Sequence, residues 1–312
     1  TDANVVLGRL SPESLLGGRM QMHPELARAA VEGLARKLGV DPVQAAAGVI
    51  EIVNVNMMGA VRVISIEQGE DPRGFALVAF GGAGPLHAVE VAAAMGMRHV
   101  LVPARPGLLS AEGLLQADQR GDFSLTRLVV IAPPQLPAIE AGFAELRRRG
   151  ELWLAEERAA SDTAVPEWSV DLRYVGQSFE LVLPLAQGWL DATALDGLID
   201  AFHDRHREYY GYDIRDQAVE LVNLRLALTV PRLRPAFAPA QHSSAGEPGS
   251  REAWFPATGY VRCPVYERTE LSPGMQFDGP AIVEQMDATT VVPPASSVRI
   301  DESGNLHITL AH

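Results

Sequence analysis

Residues 75–95 read FALVAFGGAGPLHAVEVAAAM, and the chemistry this spacing suits is the holding of a flat or anionic ligand. An apolar run carrying Phe75, Leu77, Val78 and Phe80 meets Gly81-Gly82-Ala83-Gly84, and Pro85 follows. Glycines let a backbone turn sharply and approach a ligand with no Cβ in the way. Pro85 suits the first position of a helix, whose free N–H groups and dipole favour negative charge. Gly81, Gly82, Ala83, Gly84 and Pro85 are therefore the candidate cofactor-binding residues, with a nucleotide as the expected ligand. The spacing matches neither the dinucleotide G-x-G-x-x-G nor the P-loop G-x-x-x-x-G-K-[ST]. A glycine turn between strand and helix that binds nothing is the alternative.

Other residues could carry chemistry, each with a plainer role beside it. His87 falls in the first turn after the glycines, where it either faces a ligand or packs locally. Ser110 follows Pro106-Gly107 and reads as a helix N-cap, since no His–Asp pair supports it as a nucleophile. Arg173, Tyr174 and Gln177 surround Gly176 at a strand bend and read as structural hydrogen-bonding groups. His203 and His206 share a helix face, but no third ligand accompanies them as a metal site requires. Tyr209, Tyr210 and Tyr212 read as packing against the next strand, and Glu284 and Asp287 as solvated turn residues.

The elements that must position these residues follow from composition and pattern. The chain has 312 residues, 47% hydrophobic and 21% charged, as expected for two globular domains or three small ones. A net charge of −13 argues against nucleic-acid binding, which needs clustered Lys and Arg. The one basic run, Arg147-Arg148-Arg149, is expected to end a helix. Cys263 is the single cysteine, which excludes an internal disulfide and points to a reducing, cytoplasmic setting. No signal peptide is apparent, and no apolar stretch is expected to span a bilayer. The chain opens on Thr1 as though already under way, and is expected to be a piece of something longer.

Helices are expected over residues 22–38 and from Pro42, the latter capped by Asp41. Val43, Ala46, Ile50, Val53, Met57, Ala60 and Ile64 recur at helical spacing in the second, with further valines predicting burial on more than one side. Its methionines read as core, with a ligand role for Asn54 or Asn56 as a minor option. Residues 98–102 supply a parallel strand after the glycine-turn helix, giving a β-α-β unit. Further on, a helix ending at Gly150, strands at 170–172 and 179–183, a helix at 190–210 and a strand at 219–230 are expected. Residues 231–251 are rich in Pro, Ala, Ser and Gly and read as a linker. Short strands with turns follow. The predicted division is 1–128, an α/β domain; 129–232, a mixed α/β domain; 233–253, a linker; and 254–312, a small β-rich module.

The order of motifs resembles one family. TDANVVLGRL, ISIEQGEDPRGFALVAFGGAGPLHA and VPARPGLLSAEGLL are similar to the A-type subunit of the hydantoinase/oxoprolinase family. RYVGQSFEL, the YGY after His206, VNLRL and the closing FDGPAIVEQMDATTVVPP with DESGNLHITL resemble its C-terminal region. The resemblance implies a partial actin-like ATPase domain at 1–128, followed by the mixed α/β domain and the small all-β domain. It implies ATP with Mg²⁺, phosphorylation of the carbonyl oxygen of a cyclic amide such as hydantoin or 5-oxoproline, and a B-type partner subunit or region. It also brings Asp2 and Asn4, in the TDAN segment, toward the cleft as site candidates beside His87, with capping or turn formation as their plainer role. The family's aspartate- and glycine-containing phosphate loops have no counterpart here, since no D-x-G-G-T-like sequence occurs. The missing N-terminal ATPase half is thus an expected partner, and this polypeptide alone is expected not to turn over ATP. A ketone carboxylase subunit, and a non-catalytic assembly module that binds its partner subunit, are the competing readings.

Overall fold

The computed structural model describes residues 1–13, 16–159, 163–234 and 246–311. In chain order come α1 (Asp2–Val6), α2 (Pro24–Leu38), α3 (Pro42–Ile64), β1 (Ala76–Val78), α4 (Gly84–Ala94), β2 (His99–Val102) and α5 (Leu109–Gln116). Next are β3 (Gln119–Val130), α6 (Leu136–Glu156), β4 (Val165–Tyr174), β5 (Leu181–Leu185), α7 (Ala192–Tyr210) and β6 (Val219–Val230). The last strands are β7 (Gly249–Phe255), β8 (Gly259–Glu267), β9 (Gln276–Asp278), β10 (Ala281–Glu284), β11 (Thr289–Val292), β12 (Ser296–Ile300) and β13 (Leu306–Leu310).

Two compact units form, Thr1–Leu115 with Ala236–His312, and Gln116–Pro235. This differs from the sequential division. The β-rich end is not a separate module, because β13 pairs with β2 from Leu306↔Val102 to Thr309↔His99. The sheet runs β1-β2-β13-β12-β9, and the β1–β2 parallel pair is too small to stand alone. A second sheet, β11-β10-β8-β7, belongs to the same unit. Helix α4 serves both cores. Ala88, Val89 and Ala92 pack with Val100, Val283 and Ile308, while Leu86 packs with Phe255, Cys263 and Ile282. The linker reading is shortened too: β7 already begins at Gly249, while residues 235–245 lie outside the described residues.

Asp41 caps α3 as expected, accepting from the amides of Val43 and Gln44 at 2.9 Å each. The predicted burial on more than one side does not hold. Ala45, Ala46, Ile50 and Asn54 are buried, but Ile52, Val55, Val63 and Ile64 are exposed, and Met57 and Met58 only half-buried. Helices α1, α2 and α4 cover one side alone. Residues Pro42–Gln68 are also long and apolar enough to cross a membrane by length and composition. That overturns the expectation of no such stretch, because Asn54, Asn56 and Arg62 interrupt the run without lowering its average below that of a spanning segment.

In the second unit the antiparallel sheet β3-β6-β4-β5 buries Val170, Leu172, Tyr174, Leu224 and Leu226 with Phe143 and Leu146 of α6 and Phe202 of α7. Strand β3 was not anticipated, because the boundary at 128 fell inside it. Helix α6 continues through Gly150 to Glu156. A Cβ at Gly150 would lie 2.7 Å from Leu228 Cδ1, so this glycine permits close helix–sheet packing and is not a stop. Arg147, Arg148 and Arg149 are accordingly inside the helix, the latter two paired with Glu145.

Near the chain's end a loop gives an acid-sensitive contact. Asp301 accepts from His307 Nε2 at 2.9 Å, from the Asn305 amide at 2.8 Å and from Asn305 Nδ2 at 3.0 Å. Burial alone would raise its pKa, but these bonds outweigh it and hold the carboxyl at about 2, below the ordinary 3.8. A depressed carboxylate contributes stability that is full above the unfolded pKa and lost as pH falls through the folded one. Asp301→Asn should therefore be destabilised relative to the wild type at neutral pH, with the gap narrowing from about pH 4 toward pH 2. Thermal melts across that window check this, and a gap independent of pH would contradict it.

Candidate functional site

The predicted strand–turn–helix is present. Beyond β1 the amide of Ala79 still donates to Leu101 (2.8 Å), and the chain then turns at Gly81 with φ of 79°. The Gly81 amide donates to the Pro106 carbonyl at 2.8 Å, tying the turn to the loop after β2. Helix α4 starts at Gly84, so Pro85 is its second residue and not its first. All five predicted cofactor-binding residues lie in this one turn. Gly82 and Ala83 are exposed, Gly81 and Gly84 half-buried, and Pro85 buried. The amides opening a helix have no intrahelical acceptor, and α4 opens at Gly84, with Ala83 as its N-cap, just beyond the carboxyl end of β1. Asp287 stands beside the turn. Its carbonyl oxygen lies 3.2 Å from where a Gly82 Cβ would be, and its carboxyl packs directly on Gly107.

Asp2, Asn4 and His87, far apart in sequence, line one cleft of about 330 Å³. Its apolar wall is Ala30, Val31 and Leu34 of α2 with Val49, Ile50 and Val53 of α3. Behind His87 runs a chain of polar side chains, Arg9 and Asn54 buried and Glu90 half-buried. Arg9 Nη2 donates to Glu90 Oε1 at 2.7 Å, Asn54 Nδ2 donates to Glu90 Oε2 at 2.8 Å, and Asn54 Oδ1 meets His87 Nδ1 at 2.9 Å. Burial pushes the His87 imidazole down from its ordinary pKa, Glu90 opposes this, and Arg9 adds to it. Two atoms remain without partners in this buried setting, Asn4 Oδ1 and Arg9 Nη1. Asp2 itself is exposed, in the first turn of α1.

Sequence reasoning named Asp2, Asn4 and His87 but missed Arg9 and Glu90. Glu90 had a visible signal, three residues after His87 on the same helix. Arg9 had none, because its partners are the distant Glu90 and the Trp254 carbonyl (3.0 Å). Asn54 is a working member of the cluster, whereas Asn56 is exposed.

The remaining candidates take structural places. Ser110 is exposed inside α5 and does not cap it. Arg173 pairs with Glu220 at 2.6 Å and Glu180 at 3.2 Å. Glu284 is not a solvated turn residue: it ends β10, buried, paired with Arg251 at 2.6 Å. Asp287 is half-buried and accepts from Gln285 Nε2 at 2.6 Å. Cys263 is buried in β8, and burial pushes its thiol up. Tyr209, Tyr210 and Tyr212 are exposed, against the packing expectation, with Tyr210 and Tyr212 edging the His206 ring.

His203 and His206 are buried in an aromatic cluster and hold no metal geometry. No group of three His, Cys, Asp or Glu suited to a metal occurs among the described residues. The Tyr174 hydroxyl accepts from the Ile214 amide (2.8 Å) and shares a hydrogen bond of 2.7 Å with His203 Nδ1. His206 Nδ1 donates to the Tyr212 carbonyl at 2.7 Å. Tyr174→Phe should leave the buried His203 ring and the Ile214 amide without this partner and cost about 1–2 kcal/mol of stability. A denaturant midpoint unchanged from wild type would contradict this.

Comparison with known proteins gives these arrangements a context. Residues 1–123 match the Hydantoinase/oxoprolinase family and residues 135–310 the Hydantoinase/oxoprolinase C-terminal domain. An uncharacterized protein of Methanocaldococcus jannaschii is 37% identical over 99% of this chain and 44% of its own length. Caprolactamase subunit alpha of Pseudomonas jessenii is 32% identical over 100% of this chain and 46% of its own length. The crystal structure of that ATP-dependent caprolactamase superposes with a TM-score of 0.76 over 100% of this chain and 46% of that one. The acetophenone carboxylase gamma subunit of Aromatoleum aromaticum is 32% identical over 97% of this chain and 43% of its own length. The chain thus spans less than half the length of these relatives.

Proposed function

We propose, for a chain that belongs to the hydantoinase/oxoprolinase family, a part in the ATP-dependent ring opening of small cyclic amides. The observation that carries this reading is the open glycine turn Gly81–Pro85 at the end of a β-α-β unit, in a chain aligned end to end with a caprolactamase subunit. An amide carbonyl is a poor electrophile. ATP would supply the phosphoryl group that makes its oxygen a leaving group, and such transfer depends on positioning and charge stabilisation.

The residues present fit one half of that task. Amides at the start of α4 offer donors, the glycines admit close approach, and the Asp287 carboxyl suits sugar hydroxyls better than phosphates. The turn is accordingly assigned to the adenosine half of ATP. The triphosphate grip and Mg²⁺ are assigned to the further length that the relatives possess. A B-type subunit is the proposed partner, and a reducing cytoplasm the proposed setting, in keeping with a lone buried thiol.

A second reading, an ATP-dependent ketone carboxylase subunit, draws on the similarity to acetophenone carboxylase gamma. One assay separates them. ADP release by the full-length protein with its partner subunit is followed with hydantoin, 5-oxoproline or caprolactam, and then with a ketone plus bicarbonate. Release that depends on the cyclic amide supports the first reading. Release that requires bicarbonate and a ketone replaces it with the second, and no amide-dependent release under either condition rejects the first.

A further inference from the structure

Three tyrosines at the end of α7 face outward. Tyr209 and Tyr210 close the helix and Tyr212 follows Gly211, and they stand 68%, 43% and 51% exposed. Single exposed apolar residues are ordinary, but these rings touch one another. Tyr209 lies edge-on to Tyr210 with centroids 5.0 Å apart, and Tyr210 and Tyr212 flank the His206 ring at 4.7 and 5.0 Å. The turn between β4 and β5 comes alongside, since Gln177 Nε2 is 3.4 Å from His206 Nε2. That turn also carries Phe179, 78% exposed.

The patch is framed, not loose. Gly211 ends α7 with φ of 83°, its amide donating to the Arg207 carbonyl at 2.8 Å. His206 is buried and donates Nδ1 to the Tyr212 carbonyl at 2.7 Å. Arg215 then bridges Asp204 at 2.9 Å, Asp200 at 3.0 Å and Asp213 at 3.2 Å, and Arg207 also pairs with Asp213. Rings held in this way lose little freedom when covered, which lowers the cost of association. Tyrosine offers a broad apolar face with a polar tip. An aromatic centre inside a charged rim is the anatomy of a protein–protein interface.

Two relatives aligned over nearly the whole chain are named as subunits, caprolactamase subunit alpha and the acetophenone carboxylase gamma subunit. A second copy of this chain is a poorer occupant, because two molecules of charge −13 repel. We infer that the tyrosine patch at the end of α7, together with Phe179, is a docking surface for the B-type partner subunit. The inference rests on the partner proposed above, and adds the place where it binds.

The test measures association of the full-length protein with the B-type subunit by titration calorimetry, in the absence of nucleotide. Tyr209→Ala and Phe179→Ala should each weaken association about tenfold, and the double variant about a hundredfold, as aromatic anchors do. The two sit on different elements, so misfolding of one variant leaves the other to decide. Leu128→Ala truncates an exposed side chain on β3 of the same unit and should change the affinity about twofold at most. A melting temperature lowered with affinity unchanged would give the patch to a further length of the chain itself. Self-association of the wild type that the variants lose would give it to a second copy. Either result, or an equal loss in Leu128→Ala, would overturn the inference. Equal affinity of wild type and double variant would also overturn it while leaving the ATP-dependent reading and its partner standing. No association of the wild type at all would remove the proposed partner as well.

Discussion

Gly8→Ala is expected to destabilise the protein by about 3 kcal/mol, the sum of two separate penalties of order 1–2 kcal/mol. The first is conformational. Gly8 has φ of 70°, in the left-handed region that an L side chain enters only at a cost. The second is steric. An added Cβ would overlap the carbonyl oxygen of Glu252 and lie 3.2 Å from its carbonyl carbon and 3.3 Å from Ala253 Cα. Those are backbone atoms of β7, where the Trp254 amide also donates to the Leu7 carbonyl at 2.9 Å, so nothing there swings aside. Gly39→Ala is the internal control. It has the same φ of 70° but meets nothing within 4 Å, so it should cost only the conformational part, about 1 kcal/mol. Thermal or denaturant unfolding of both variants measures the difference. Equal losses would mean that the amino-terminal segment is not seated on β7.

Gly81→Val, placed in the full-length protein, is expected to raise the KM for ATP about a hundredfold, equivalent to roughly 3 kcal/mol of lost binding. A Cβ at Gly81 meets no protein atom within 4 Å. On the proposed assignment the new side chain enters the space the nucleotide would take, while φ of 79° also strains the turn for any L side chain. Gly69→Val controls for the backbone effect alone. Gly69 has φ of 84° with nothing within 4 Å of its Cβ position, and it sits in a turn before β1. Nucleotide titrations of the two variants should diverge sharply. Matching KM values would place the nucleotide elsewhere.

Local signals were legible where a few neighbouring residues decide the geometry. The Asp41 cap, the β-α-β unit and helix α7, with Asp191 at its start and Gly211 at its end, follow from residues within a turn of one another. The glycine turn was legible for the same reason. Strand β3 was in fact written as Phe123 and Leu125 alternating with Asp122, Ser124 and Thr126, a period of two, but a boundary drawn through it hid the pattern. What could not be read was long-range pairing. Strand β13 lies more than two hundred residues from β2 in sequence yet completes its sheet, and no local periodicity encodes that choice of partner.

The candidate site divides in the same way. Asp2, Asn4 and His87 were reached through motifs, and the structure places them on one cleft. Arg9, which acts on His87 through Glu90 and Asn54, was invisible because it looks like an ordinary charged residue until the fold buries it, whereas Glu90 was signalled only by its place three residues after His87. Conversely, Glu284 looked like a turn residue because its partner, Arg251, approaches from β7, thirty-three positions away.

The most direct measurement is hydrogen–deuterium exchange at the amides of Gly82, Ala83 and Gly84 in the full-length protein, with and without a non-hydrolysable ATP analogue. The account predicts that these three amides become protected when the analogue binds, while those at the Gly69 turn do not change. Saturating analogue that leaves all three exchanging at their free rate would contradict the assignment of the turn to the nucleotide.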